Sequence, residues 1–90
     1  MAYQLDLTNR YIRSYKKLPS EIKDKVDEAL RTLMKGRPYP KSLRVKKMKG
    51  HKFVFEASPT MDYRITFHFE NPDYIVLRNV GEHDLTLANP

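Results

Sequence analysis

Polar and apolar positions change period once along this ninety-residue chain, and the change divides it. Near the N-terminus Tyr3, Leu5 and Leu7 alternate with polar residues, which predicts a short first strand. From Arg10 to Leu18 the apolar positions are Tyr11, Ile12, Tyr15 and Leu18, the spacing of one helical face. Thr8 or Asn9 precedes it as a cap, because either side-chain oxygen can accept from the first free amides. Pro19 ends that helix and can open the next, with Ser20 beside it. From Glu21 to Lys35 the residues Ile22, Val26, Ala29, Leu30, Leu33 and Met34 repeat at three and four. Acids gather early in this stretch, at Glu21, Asp24, Asp27 and Glu28, where they favour the positive helix end. Gly36 is a C-cap, and Pro38 and Pro40 forbid continuation. The first half is therefore a strand followed by a helical hairpin joined at Pro19.

From Leu43 the period becomes that of strands. Leu43 to Met48, Phe53 to Ala57, Tyr63 to Phe69 and Tyr74 to Val80 each read as one, separated by Gly50, Pro59 and the turn Asn71-Pro72-Asp73. The order β-α-α-β-β-β-β predicts an α+β fold, an antiparallel sheet with two helices packed on one face. Pairing Glu70 with Tyr74 across the turn sets Phe69 opposite Ile75 and Phe67 opposite Leu77, apolar against apolar. Carried on, the same register sets Thr66 opposite Arg78 and Arg64 opposite Val80. Arg64 and Arg78 then become diagonal neighbours ~7–8 Å apart on the face without helices. A slip of one residue would bury the arginines and expose the aromatics. Two guanidiniums so placed repel unless an anion such as phosphate sits between them, or unless each pairs with an acid such as Glu56 or Glu82.

Composition sharpens this picture through charge. The chain carries 17 Lys+Arg against 11 Asp+Glu, a formal net charge of +6. Eight of the basic residues (Lys35, Arg37, Lys41, Arg44, Lys46, Lys47, Lys49 and Lys52) lie in one window without an acid. Such a block attracts a polyanion, through phosphate contacts and counterion release, or is a solvated face. The absence of cysteine excludes disulfide scaffolds, thiolate zinc sites and cysteine nucleophiles. His51, His68 and His83 lack the compact spacing of a zinc site. No apolar run approaches the ~20 residues a membrane span needs, and the first residues lack the pattern of a signal peptide. One cytoplasmic domain over residues 1–90, with no metal and no cofactor, is the expectation.

Five segments together resemble a known family. They are Tyr15-Lys16-Lys17-Leu18-Pro19 with its following helix, Leu43-Arg44-Val45-Lys46-Lys47-Met48-Lys49-Gly50, and Phe55-Glu56-Ala57. Met61-Asp62-Tyr63-Arg64-Ile65-Thr66-Phe67 follows, and Val76-Leu77-Arg78-Asn79-Val80-Gly81-Glu82-His83-Asp84 closes the set. Over nearly its whole length the chain resembles the RelE/ParE superfamily of small bacterial toxins from type II toxin–antitoxin pairs. The resemblance implies the fold just read and a cognate antitoxin protein as partner. For the RelE-like branch it implies ribosome-dependent, metal-independent mRNA cleavage that blocks translation, with mRNA and rRNA as partners. The ParE branch implies a gyrase-poisoning toxin instead, and a non-catalytic basic RNA- or ribosome-binding module is the reading from a different class.

The nuclease reaction is attack of a 2′-hydroxyl on the adjacent phosphate. It needs a base, cations for the phosphorane and an acid for the leaving 5′ oxygen. The resemblance implies that Arg64 contacts the scissile phosphate. His83 stands where several members place a histidine, an acid or base whose ordinary titration lies near neutrality. Arg78 joins the catalytic set from the register argument, and Glu56 joins it as a base or as a carboxylate that orients an arginine. Arg44, Lys46, Lys47, Lys49, His51 and Lys52 are expected to grip RNA backbone without reading its sequence. The chain departs from the family at Glu56-Ala57-Ser58, where many nucleases keep basic residues, and at Leu85-Thr86-Leu87-Ala88, where many keep an aromatic. Base stacking is left to Tyr63, to His51 or to nothing, and no long C-terminal helix is expected before Pro90.

Overall fold

The computed structural model describes residues 2–90. Strand β1 (Gln4–Leu7) leads into helix α1 (Asn9–Lys16) and helix α2 (Ser20–Met34). After a short 3-10 turn at Lys41–Leu43 come β2 (Lys46–Lys47), β3 (Phe55–Ala57), β4 (Tyr63–Glu70) and β5 (Tyr74–Glu82), and the chain closes with helix α3 (His83–Ala88). The five strands form one sheet in the order β1-β5-β4-β3-β2.

Thr8 makes the joint between sheet and helix. Its hydroxyl accepts from the Tyr11 amide as the α1 cap and donates to the Leu77 carbonyl of β5 at 2.8 Å. Pro19 caps α2 without a side-chain bond, and Gly36 takes φ +83° just past the helix end, the left-handed conformation glycine adopts freely. Tyr15 Oη donates to Asp27 at 2.7 Å and ties the two helices together. This bond to the carboxylate, with burial adding to it, favours the neutral phenol and pushes Tyr15 up to about 12. Tyr11, Val26, Leu30 and Leu33 then bury against Ile65, Phe67, Ile75, Leu77 and Val80. Removing a ring such as that of Phe67 costs about 3–5 kcal/mol.

Five expectations need correction. First, the sheet is mixed: β1 runs parallel to β5, Gln4 beside Tyr74 through Leu7 beside Leu77. The helical hairpin carries the chain from one sheet edge to the other, and an alternating pattern is equally compatible with either strand direction. Second, the strand expected over Leu43–Met48 shrinks to Lys46–Lys47. Leu43 ends the 3-10 turn, and Arg44 adopts φ +51°, a left-handed conformation that interrupts any strand. Third, the strand expected from Phe53 begins at Phe55; Phe53 is 73% exposed and lies outside the ladder. Fourth, the residues after β5 form α3, a short helix that was not expected.

The fifth correction bears most on function. Glu70–Tyr74, Phe69–Ile75 and Phe67–Leu77 pair as expected, but the register then shifts between Thr66 and Phe67. Thr66 faces Asn79 and Arg64 faces Gly81, not Arg78 and Val80. One extra β5 residue is accommodated there as a bulge, which places both Leu77 and Val80 in the core although three positions separate them.

Candidate functional site

The bulge decides which side chains meet Arg64. With Arg64 opposite Gly81, its diagonal partner along β5 becomes Asn79, and the strand ends at Glu82, one residue before His83. Arg78 is removed from Arg64, and Arg78 Nη1 instead meets His68 Nδ1 at 3.0 Å. The expected Arg64–Arg78 anion clamp is therefore absent. On the other side of β4, Glu56 of β3 pairs with Thr66 and stands diagonal to Arg64. Its Oε1 lies 3.6 Å from Arg64 Nε.

Arg64 is only 9% exposed. Its Nη1 donates to the carbonyls of Thr60, Met61 and Tyr63 at 3.1, 3.0 and 2.8 Å, so the turn before β4 wraps the guanidinium. Nε is buried without a hydrogen-bond partner, with the Glu56 carboxylate 3.6 Å away. A buried charge left alone is costly, and Glu56, itself buried, supplies the counter-charge. The guanidinium borders a cavity of about 220 Å³ together with Ser42, Arg44, Ser58, Thr60 and Met61. Arg44 reaches it from the left-handed residue after the 3-10 turn. Two cations and three hydroxyl-bearing side chains line this space, a donor set suited to phosphoryl oxygens.

His83 is the first residue of α3. Its amide donates to the Asp62 carbonyl at 2.8 Å, which ties the end of β5 to the turn that wraps Arg64. Nδ1 lies 2.8 Å from Asp84 Oδ1, so with Nδ1 as donor the lone pair resides on Nε2. The half-exposed ring borders a second cavity of about 380 Å³, with Asp62, Tyr63, Glu82 and Asp84. Gly81 permits this arrangement. A Cβ there would meet Thr86 Oγ1 at 2.8 Å, so a larger residue would force the Thr86 side chain or α3 to shift.

The acid-free block wraps the β2 edge. All eight of its basic residues are exposed, and among the described residues none forms an ion pair. Register divides it: Lys46 pairs with Glu56 and so belongs to the Arg64 face, whereas Lys47 pairs with Phe55 on the helix-covered face. Lys49, His51 and Lys52 lie in the exposed turn that follows β2. Sequence reasoning missed the hydroxyls of Ser42, Ser58 and Thr60; the Ser58-Pro59-Thr60 turn just ahead of Arg64 was the available signal.

No protein-family model matches the chain, and no curated protein matches it in sequence. Solved structures do match in shape. The YafQ structure from E. coli strain BL21(DE3) superposes with a TM-score of 0.79 at 11% identity, covering 93% of this chain and 97% of that one. The fold is that of the YafQ and RelE toxins. RelE in the archaeal RelE–RelB complex from Pyrococcus horikoshii gives 0.70 at 19% identity, covering 93% and 98%. The E. coli DinJ–YafQ toxin–antitoxin complex gives 0.78 at 13%, covering 94% and 97%. At these identities the shared feature is the RelE-like architecture. No helix of the described chain is long and apolar enough to cross a membrane.

Proposed function

We propose that residues 1–90 are one RelE-like toxin domain that acts in the cytoplasm as a ribosome-dependent, metal-independent mRNA endoribonuclease and is silenced by a cognate antitoxin. The carrying observation is the buried Arg64 guanidinium, set against Glu56 beside a cavity that Arg44 and three hydroxyls also line, with the His83 amide bonded to the Asp62 carbonyl of the turn that wraps it. The shared architecture supports the toxin reading, because the DinJ–YafQ and RelE–RelB structures are toxins held by antitoxins.

Chemistry follows from the placement. A phosphodiester seated against Arg64 and Arg44 has its non-bridging oxygens neutralised as the 2′-oxygen attacks phosphorus. The P–O5′ bond then breaks, giving a 2′,3′-cyclic phosphate and a free 5′-hydroxyl. His83 Nε2 takes the 2′ proton while water protonates the leaving 5′ oxygen, or water takes the 2′ proton while a protonated His83 supplies one to the 5′ oxygen. Glu56 lies against Arg64 Nε, so its role is to hold the guanidinium in place. Arg78 stands outside this reaction centre. Lys46, Lys49, His51 and Lys52 attract RNA backbone from the β2 edge.

Adding the protein to translating ribosomes and mapping mRNA 5′ ends tests this reading. Codon-phased cuts are expected from the wild type, reduced about 10²–10⁴-fold in His83→Ala with melting temperature unchanged. Cuts that persist in His83→Ala would remove it from the site. Their absence in the wild type would reject the nuclease, and linearised plasmid formed with gyrase would support the ParE-like alternative.

A further inference from the structure

The loop between α2 and β2 encloses a cavity of about 460 Å³, lined by Arg37, Pro38, Tyr39, Lys41, Arg44 and Val45 among others. Three cations border this space, and no carboxylate does. Among the described residues none of the three forms an ion pair. An anion seated between them would offset their repulsion and accept charge-assisted bonds. The walls are fixed in place. Arg37 Cζ lies 6.0 and 5.9 Å from the ring centroids of Phe55 and Phe69, so cation–π contact holds the guanidinium against the sheet. Tyr39 Oη donates to the Leu33 carbonyl at 3.3 Å, which sets its half-buried ring against the end of α2.

Arg44 joins this cavity to the one beside Arg64, because it lines both. Its φ of 51° and ψ of 46° are costly for a residue with a Cβ, and backbone outliers of this kind collect at ligand clamps. Two backbone bonds hold it there. The Arg44 amide donates to the Lys41 carbonyl at 3.1 Å, and the Ser58 amide to the Leu43 carbonyl at 2.8 Å.

We propose that the Arg37–Val45 cavity is a nucleotide subsite for the RNA strand that enters the Arg64 cavity. Arg37 and Lys41 take the phosphate next to the one being cut, Arg44 bridges the two, and the attached base stacks on Tyr39. The proposal rests on the ribonuclease reading above and extends it along the substrate strand. Sites for small ligands enclose roughly 300–1,000 Å³, a range that includes this cavity. Every base has a π face, so the subsite positions the strand without reading its sequence.

The test is binding of a short 2′-O-methyl oligoribonucleotide, which lacks the attacking hydroxyl and stays intact, to the full chain. Lys41→Gln should lower the slope of log K against log salt by about 0.7, the share of one single-strand phosphate. Lys35→Gln, in the same charge block but outside the cavity, should leave the slope unchanged. An abasic unit moved along the oligonucleotide should weaken binding about five- to a hundredfold at one position, the range for one base stacked on an aromatic ring. Tyr39→Leu should make that position indifferent, since both changes remove the same contact, whereas Tyr39→Phe should bind as the wild type does. Equal slopes in Lys35→Gln and Lys41→Gln would reduce the cations to a diffuse face and overturn the subsite. So would a scan of the wild type with no sensitive position, or failure to bind at low salt. Polyglutamate competing as well as the oligonucleotide would make the cavity an acidic-peptide surface and also overturn it. Each of these results leaves the nuclease reading to the mapped mRNA 5′ ends, which judge it separately.

Discussion

Two cationic regions lie within one sheet width of each other, and they are built in opposite ways. The Lys35–Lys52 block is exposed, without ion pairs among the described residues, and wrapped around an edge strand of two residues. Arg64 is buried, bonded three times to backbone carbonyls and set against the buried Glu56. Flexible exposed lysines act as point charges at long range, and salt screens them. A guanidinium locked by its surroundings acts on one atom at one place, and its cost of orientation is met during folding. On the proposed nuclease reading, net charge attracts RNA and fixed geometry serves the cut.

The sharpest way to break this contrast is Arg64→Lys. It keeps the charge but not the fork that spans three carbonyls and the Glu56 side. Cleavage should fall about 10²–10³-fold, the usual cost of losing one pre-organised donor to a developing oxyanion. Chemical denaturation should show a stability loss of about 3 kcal/mol in Arg64→Gln, because Glu56 is left buried without its counter-charge. Near-wild-type cleavage by Arg64→Lys would place the site among the generic cations after all.

Glu56 sharpens the assignment of roles. As a positioning residue it should leave the acid limb of the pH–rate profile in place when changed to Gln, while slowing cleavage about tenfold. Its effect should also vanish in an Arg64→Gln background, since the two act as a unit. Loss of the acid limb in Glu56→Gln alone would make it the general base and move His83 to the leaving group.

Much of this was legible before any coordinates. The helical hairpin, the Thr8 cap, the 71–73 turn and the first rungs of the β4–β5 pair follow from local spacing and turn chemistry. The bulge was written in the sequence too. Ile75 and Leu77 are two apart but Leu77 and Val80 are three, a spacing that a regular strand cannot place on one face. Extending the early register past Leu77 produced the mistaken Arg64–Arg78 pair. Other features carried no local signal. Parallel pairing of β1 depends on where the hairpin delivers the chain, and the left-handed Arg44 has none of the residues that favour such a turn. Leu85 and Leu87 alternate as a strand would, yet they lie on α3, whose buried residue is Thr86.

The smallest expected effect belongs to the largest charge. Lys46→Ala, Lys49→Ala and Lys52→Ala combined should leave melting temperature within the small range of surface changes. Cleavage at physiological salt should drop several-fold through weaker binding, uniformly across codons, because backbone contacts carry no sequence information. Lowering the salt should restore much of the rate, since fewer counterions remain to be released. Arg64→Lys should show no such rescue, because the missing element there is a fixed donor geometry that salt does not screen. If low salt rescues both variants equally, Arg64 differs from the block only in burial, and the division between attraction and chemistry collapses.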